Sequence, residues 1–371
     1  MKSSFFAFAY QNILRYFLFK FEPEFIHDRM MHTGKLLGKF DWTRNLTKKA
    51  FYYSHSSLKQ VIKEIQFDNP IGLSAGFDKD ANLISILDDV GFGFTEVGTA
   101  THKPYEGNPK PRLYRLKKSK GLVVYYGLKN IGIEKVIEKL KKRDINFPVI
   151  LSIGKTNSKE TNTNNAGIED YKQCLAYATG YPETADIYDI NISCPNTFGG
   201  EPFTTPKRLD ALLKEITKVK TNKPIFIKMP INLDWKEFKG LADVALKYKI
   251  DGLIIGNLNK DHKDINVLDK IPKGIKGGIS GRPTYRLSNY LISKTYQQYG
   301  SKFTIVGVGG IFSAEDAYEK IKRGASLVQL ITGMIYQGPQ LIGQINHDLV
   351  ELLKRDGYSN VSEAVGAYYK N

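Results

Sequence analysis

From residue 70 onward the chain repeats one unit eight times: a short, β-branched apolar run ending in Gly, Asn, Ser or Lys, then a polar–apolar helical stretch. The runs are PIGLSAGF (70–77), FTEVGTA (94–100), FPVILSIGK (147–155), IYDINIS (187–193), PIFIKMP (224–230), GLIIGN (252–257), FTIVGVGG (303–310) and LVQLITG (327–333). Apolar runs of this length, separated by helical patterns, read as buried parallel strands rather than half-exposed ones. Eight such units predict an α/β fold, a (β/α)8 TIM barrel. A doubly wound sheet, which would need a reversal of strand order, is the minor alternative. In a barrel the C-terminal strand ends face the active site, and here they carry Lys79, Thr99, Ser152, Asn191, Lys228, Asn257, Gly310 and Thr332.

The fourth run leads into Cys194-Pro195-Asn196-Thr197. A thiol held at a strand end between Asn191 and Asn196 can take a proton from a substrate that the amides hold by hydrogen bonds. A lone cysteine is more often a small buried hydrophobe, so the strand repeat is what favours the catalytic reading. The seventh and eighth runs, VGVGG and LITGM, set Gly309, Gly310 and Thr332 just before helices, where backbone N–H groups attract an anion, and barrels commonly bind phosphate after these strands. Lys79 and Lys228 would be buried ammonium groups without a partner adjacent in sequence, and an anionic cofactor would supply one.

Residues 5–21 place Phe6, Tyr10, Ile13, Leu14, Phe17 and Phe21 on one helical side and Gln11, Asn12 and Arg15 opposite. The segment is too short and too polar for a membrane span, and a second apolar-basic helix is expected over about 23–40. Such a pair can lie in a bilayer interface or simply pack on the barrel. The expected organisation is therefore a helical appendage at 1–64 and a barrel at 65–371. Cys174 and Cys194 have no metal-like spacing, so neither a metal nor a disulfide is expected.

GLSAGFDKDA, GFGFTEVGTAT, GNPKPRLYRL, NISCPN, GGISGRP, VGVGGI and GASLVQLITG, in this order, resemble the dihydroorotate dehydrogenase family, specifically its membrane-associated, quinone-reducing class. The resemblance covers nearly the whole chain. It implies FMN-dependent oxidation of dihydroorotate to orotate, a step of pyrimidine biosynthesis, with a membrane quinone as electron acceptor. It puts flavin contacts on Ala75, Gly76, Lys79, Thr99, Asn191, Lys228, Gly281, Gly310 and Thr332, with Ser152 in the place of an asparagine and Gly309 in the phosphate loop. It makes Cys194 the proton-abstracting base and gives Lys79, Asn191, Asn196 and Asn257 to the pyrimidine, His27 and Arg115 to the quinone. The appendage and the barrel would then do separate jobs. A peripheral location on the cytoplasmic side of the cell membrane, and a monomer, are expected.

Some residues depart from that pattern. The quinone class usually carries serine where this chain has Cys194, one orotate-binding amide is replaced by Val124, and Leu258 stands where a threonine is expected. Lys129 lies in the same diverged segment. A related flavin enzyme acting on another dihydropyrimidine or a cyclic enone is the alternative. The chain has 54 Lys and Arg against 38 Asp and Glu, a formal charge of +16, which raises a flavin-dependent tRNA dihydrouridine synthase as a third reading. Its lysines are spread through the helices rather than gathered in a stripe, so no nucleic-acid partner is expected.

Overall fold

The structure is a computed structural model and describes residues 2–142 and 147–370. All eight apolar runs are strands: β1 (Ile71–Leu73), β2 (Phe94–Thr101), β3 (Val149–Gly154), β4 (Ile187–Asn191), β5 (Ile225–Met229), β6 (Gly252–Ile255), β7 (Thr304–Val308) and β8 (Leu327–Leu330). They pair in parallel, each with the next, and β8 pairs with β1 to close a barrel. Closure leaves no strand edge, and the doubly wound alternative falls with it.

Side chains alternate along each strand, so the interior fills in layers. The lower layer is apolar: Phe94, Ile150, Ile187, Phe226, Ile254, Val306 and Leu327, one from each of β2 to β8, pack with Phe67. β1 contributes Gly72, whose Cβ would come 2.3 Å from the Phe94 ring; only glycine leaves room for that ring. Two residues further up, the interior turns polar, with Glu96, Ser152, Asp189, Lys228 and Gln329 all buried. The alternate residues face outward: Tyr188, Ile190 and Leu253 belong to the larger apolar cluster under the surrounding helices.

Phe67 comes from an antiparallel hairpin, Gln60–Ile62 with Ile65–Phe67, that covers the lower end of the barrel. A division at 64/65 therefore cuts a hairpin turn, and the helical appendage ends before it. That appendage contains more than the two expected helices. α1 (Lys2–Ala9) runs through a π-helical turn at Tyr10–Leu14 into α2 (Arg15–Leu18), followed by α3 (Pro23–Leu37) and α4 (Asp41–Phe51). Glu22 caps α3, its carboxylate accepting from the backbone N–H of Glu24 and Phe25, with Pro23 in the first turn. α4 has no apolar-rich sequence; its lysines and Arg44 face solvent or pair with acids, as Arg44 does with Asp89 at 2.9 Å. A three-stranded antiparallel sheet of Leu113–Leu116, Gly121–Val124 and Gly278–Gly281 stands outside the barrel at its upper end.

Candidate active site

Above the polar layer lies a chamber lined by Ala75, Gly76, Lys79, Thr99, Asn191, Cys194, Asn196, Lys228 and Asn257 from the barrel, by Val124 at the end of an outer-sheet strand, by Tyr126 and Lys129 from the loop that follows it, and by His27 from α3. Ala75, Lys228, Asn257 and Thr332 also border a second recess, whose far side is Gly281, Gly309 and Gly310. On the opposite side, His27, Phe77, Leu113, Leu122 and Ile335 are shared with an apolar tunnel between the barrel and the appendage, lined further by Tyr10, Phe19, Ile26, Met30 and Arg115. The residues expected at the three sites thus meet in one continuous space. The exception is Ser152, which is fully buried behind Thr99 and does not line the chamber.

Lys228 does not depend on a cofactor for its counter-charge. Its ammonium donates to Glu96 at 2.9 Å and to Ser74 Oγ at 3.2 Å, and Glu96 also accepts from the backbone N–H of Ala75 at 3.1 Å. Glu96 was not anticipated; the only signal was an acid inside an otherwise apolar strand, in FTEVG. Lys79 has no such close carboxylate among the described residues. Its Nζ lies 3.4 Å from His27 Nε2 and 4.0 Å from the centre of the Tyr126 ring, and burial lowers its pKa to about 8. Burial together with the neighbouring Lys79 and Lys129 charges holds His27 well below the usual histidine range, so it is neutral. The hydroxyl of Tyr126 is buried without a partner among the described residues, which leaves a donor for a ligand.

The three asparagines are each anchored by one amide N–H: Asn191 to Thr99 Oγ1 at 2.8 Å, Asn196 to the carbonyl of Val124 at 2.8 Å and Asn257 to Ser193 Oγ at 2.8 Å. Each keeps a second N–H, so the chamber wall presents donors to a ligand rich in oxygen acceptors. Lys129 is 4.0 Å from Glu24, a buried carboxylate of α3 that Arg112 approaches to 3.0 Å. In the tunnel, Arg115 donates to the carbonyl of Phe21 at 2.7 Å and lies 4.5 Å over the Phe19 ring.

Cys194 is not the ready thiolate that a free cysteine would provide. Burial pushes its pKa up to about 12, against the opposing pull of the Asn196 backbone N–H, Lys228 and Lys155. Cys174 is wholly buried among barrel helices and has no access to the chamber.

The arrangement fits an elongated, phosphate-bearing cofactor. Gly76 has φ of +103°, and a Cβ there would meet nothing within 4 Å, because it would project into open space beside the chamber. Gly309 and Gly310, with φ of +109° and +73°, form the opposite end, where a side chain would also strain the backbone. Fold and site together describe a barrel whose upper end opens into one continuous space with a glycine-lined recess, a polar chamber and an apolar tunnel. The dihydroorotate dehydrogenase family model matches residues 57–353. Relatives described as dihydroorotate dehydrogenase (quinone) are 34% identical over 96% of this chain and 97% of the protein from Nautilia profundicola, and 37% identical over 94% of both chains for Crocosphaera subtropica. The crystal structure of an Eimeria tenella dihydroorotate dehydrogenase in complex with ferulenol superposes with a TM-score of 0.83 at 28% identity, covering 94% of this chain and 96% of that one. The chain belongs to the dihydroorotate dehydrogenase family.

The raised pKa of Cys194 has a direct chemical consequence, since only the thiolate reacts with iodoacetamide. Alkylation at Cys194, followed by mass spectrometry, is expected to accelerate about tenfold per pH unit from neutral pH to about pH 10 without levelling off. A plateau near the ordinary thiol range would show that the site stabilises the thiolate.

Proposed function

We propose that this protein oxidises dihydroorotate to orotate with FMN as its redox group and a quinone as the final electron acceptor. The observation that carries this reading is the meeting, in one chamber, of a thiol, three amide donors and Lys79, with a glycine-lined recess on one side and an apolar tunnel on the other. When bound, FMN supplies an acceptor for the hydride leaving C6 of dihydroorotate and passes the electrons on to quinone. Gly281, Gly309, Gly310 and Thr332 would hold its phosphate end, and Ala75, Gly76, Thr99 and Lys228 its ring system. Asn191, Asn196 and Asn257 would bind the carbonyl and carboxylate oxygens of the pyrimidine, with Lys79 adding charge. Cys194 Sγ, as the thiolate left once it has lost its own proton, would take the C5 proton. Neutral His27 and Arg115, on the tunnel walls, would meet the quinone head group.

The appendage supports a peripheral membrane reading. No helix among the described residues is long and apolar enough to cross a membrane. Phe5, Phe8, Phe17, Phe21, Trp42 and Leu46 are nonetheless exposed on it, and Arg15, Lys20, Lys117 and Lys120 line one recess beside them. Residues 1–64 carry 11 Lys and Arg against 5 Asp and Glu. Aromatic side chains beside cations that form no ion pair among the described residues suit an anionic lipid surface.

Anaerobic mixing of the holoenzyme with dihydroorotate should bleach the visible flavin absorbance, and Cys194→Ala should stop the bleaching while leaving the flavin bound. Cys194→Ser should keep partial activity, because a hydroxyl that passes on its own proton can accept the same one. Normal bleaching by Cys194→Ala would remove the thiol from the mechanism; no bleaching of the wild type would exclude dihydroorotate.

Val124 offers the substrate chamber no hydrogen bond. Val124→Asn is expected to lower the Michaelis constant for dihydroorotate by up to about tenfold, the equivalent of ~1.4 kcal/mol. An unchanged or higher constant would mean that this wall does not touch the substrate.

Replacing Lys20, Lys117 and Lys120 by Gln should weaken binding to anionic vesicles by about fivefold per cation at low salt and leave turnover with a soluble quinone intact. Vesicle binding indifferent to these changes and to salt would point to a purely apolar contact.

A further inference from the structure

Five hydrogen bonds run from the substrate chamber down into the polar layer of the barrel, and the groups at the two ends set their direction. The backbone N–H of Ser193 can only donate, and it reaches Asn191 Oδ1 at 3.2 Å. That fixes the amide, so Asn191 Nδ2 is the atom facing Thr99 Oγ1 at 2.8 Å. Thr99 accepts there, and because the Ser152 proton is taken by Asp189, the 2.9 Å contact between Thr99 Oγ1 and Ser152 Oγ runs from Thr99 to Ser152. Ser152 accepts in turn, and its single proton goes to Asp189 Oδ2 at 2.7 Å. Upstream, Asn257 Nδ2 donates to Ser193 Oγ at 2.8 Å, and Ser193 Oγ donates to Asn191 Oδ1 at 3.2 Å. Every donor points the same way, from Asn257 through Ser193, Asn191, Thr99 and Ser152 to Asp189.

We propose that Asp189 and Ser152 are positioning residues that hold Asn191 and Asn257 in the orientation that binds the pyrimidine, by ending this one-way chain in an acceptor. The chain needs a terminus that takes a proton donor and does not compete as one. Asp189 Oδ2 is that terminus. Ser152 and Asp189 are paired positions on neighbouring strands β3 and β4, both fully buried, so neither can turn to water instead. The other oxygen, Asp189 Oδ1, has no donor among the described residues. Burial and the adjacent Glu96 charge, opposed by Lys228, hold Asp189 well above the usual carboxylate range. A proton held on Oδ1 leaves Oδ2 to accept from Ser152. Hydrogen bonds aligned in one sense polarise each other, so the loss of the terminus is felt at the amides.

This inference rests on the chamber being the dihydroorotate site, and the product orotate probes both. Orotate titrated into the holoenzyme is expected to perturb the visible flavin spectrum. Ser152→Ala, which removes one hydroxyl, should raise the orotate dissociation constant about tenfold with flavin content unchanged. Asp189→Ala should do the same, and the double variant should be little worse than either, because the chain acts as a unit. Asp189→Asn, whose amide oxygen keeps the acceptor, should recover most of the lost affinity. Wild-type affinity in Ser152→Ala would overturn the inference, as would failure of Asp189→Asn to rescue. Should Asp189→Ala fail to fold, Ser152→Ala alone decides. A wild type that binds no orotate would instead overturn the substrate reading, and this inference with it.

Discussion

The ion pair between Lys228 and Glu96, sealed inside the barrel, is the interaction on which the active-site floor depends. Two charges out of water cost several kcal/mol unless each is paired and hydrogen-bonded, and removing one partner of such a pair typically costs about 3–5 kcal/mol. Here the pairing reaches beyond the two residues. Glu96 on β2 accepts from the backbone of Ala75 after β1, while Lys228 on β5 also donates to Ser74. Three strands are thereby held at the level where the apolar filling stops and the chamber begins. Below that level Phe67, Phe94 and Phe226 close the barrel against water, which keeps the pair in surroundings where its geometry is enforced.

The fold was legible because its signal is repetition. Seven of the eight barrel strands lie within the apolar runs and β2 exceeds its run by one residue, and the strand-end residues converge as the repeat requires. Short-range rules do less well where identity depends on a partner far away in the chain. Glu96 and Asp189 interrupt apolar strands, and nothing within a few residues tells whether such an acid faces out or pairs inward; their partners are 132 and 37 positions distant. The same limit explains Ser152, whose place at a strand end suggested contact with the cofactor although Thr99 stands between. The ionisation of Cys194 could not be read either, since its pKa is set by how completely loops from elsewhere bury it. α4 escaped notice because its sequence is polar and its stability comes from docking, through pairs such as Arg44 with Asp89.

Three chambers around one mouth separate chemistry by polarity. The amide-lined chamber suits a charged pyrimidine, and the tunnel, walled by Phe19, Ile26, Met30 and Leu87, suits a molecule that partitions into lipid. His27 belongs to both walls and is neutral, so the partition between them carries no charge that an apolar acceptor would have to desolvate.

Glu24 gives the appendage a meaning that its helices alone would not suggest. This carboxylate on α3 is fully buried against Arg112, with Lys110 and Lys129 near, and Lys129 lines the substrate chamber. Without α3, Arg112, Lys110 and Lys129 would lose a buried counter-charge beside the chamber. Appendage and barrel are therefore bound to change together: a substitution that shifts α3 moves a buried negative charge away from Arg112 and Lys129 and so alters the charge at the chamber wall.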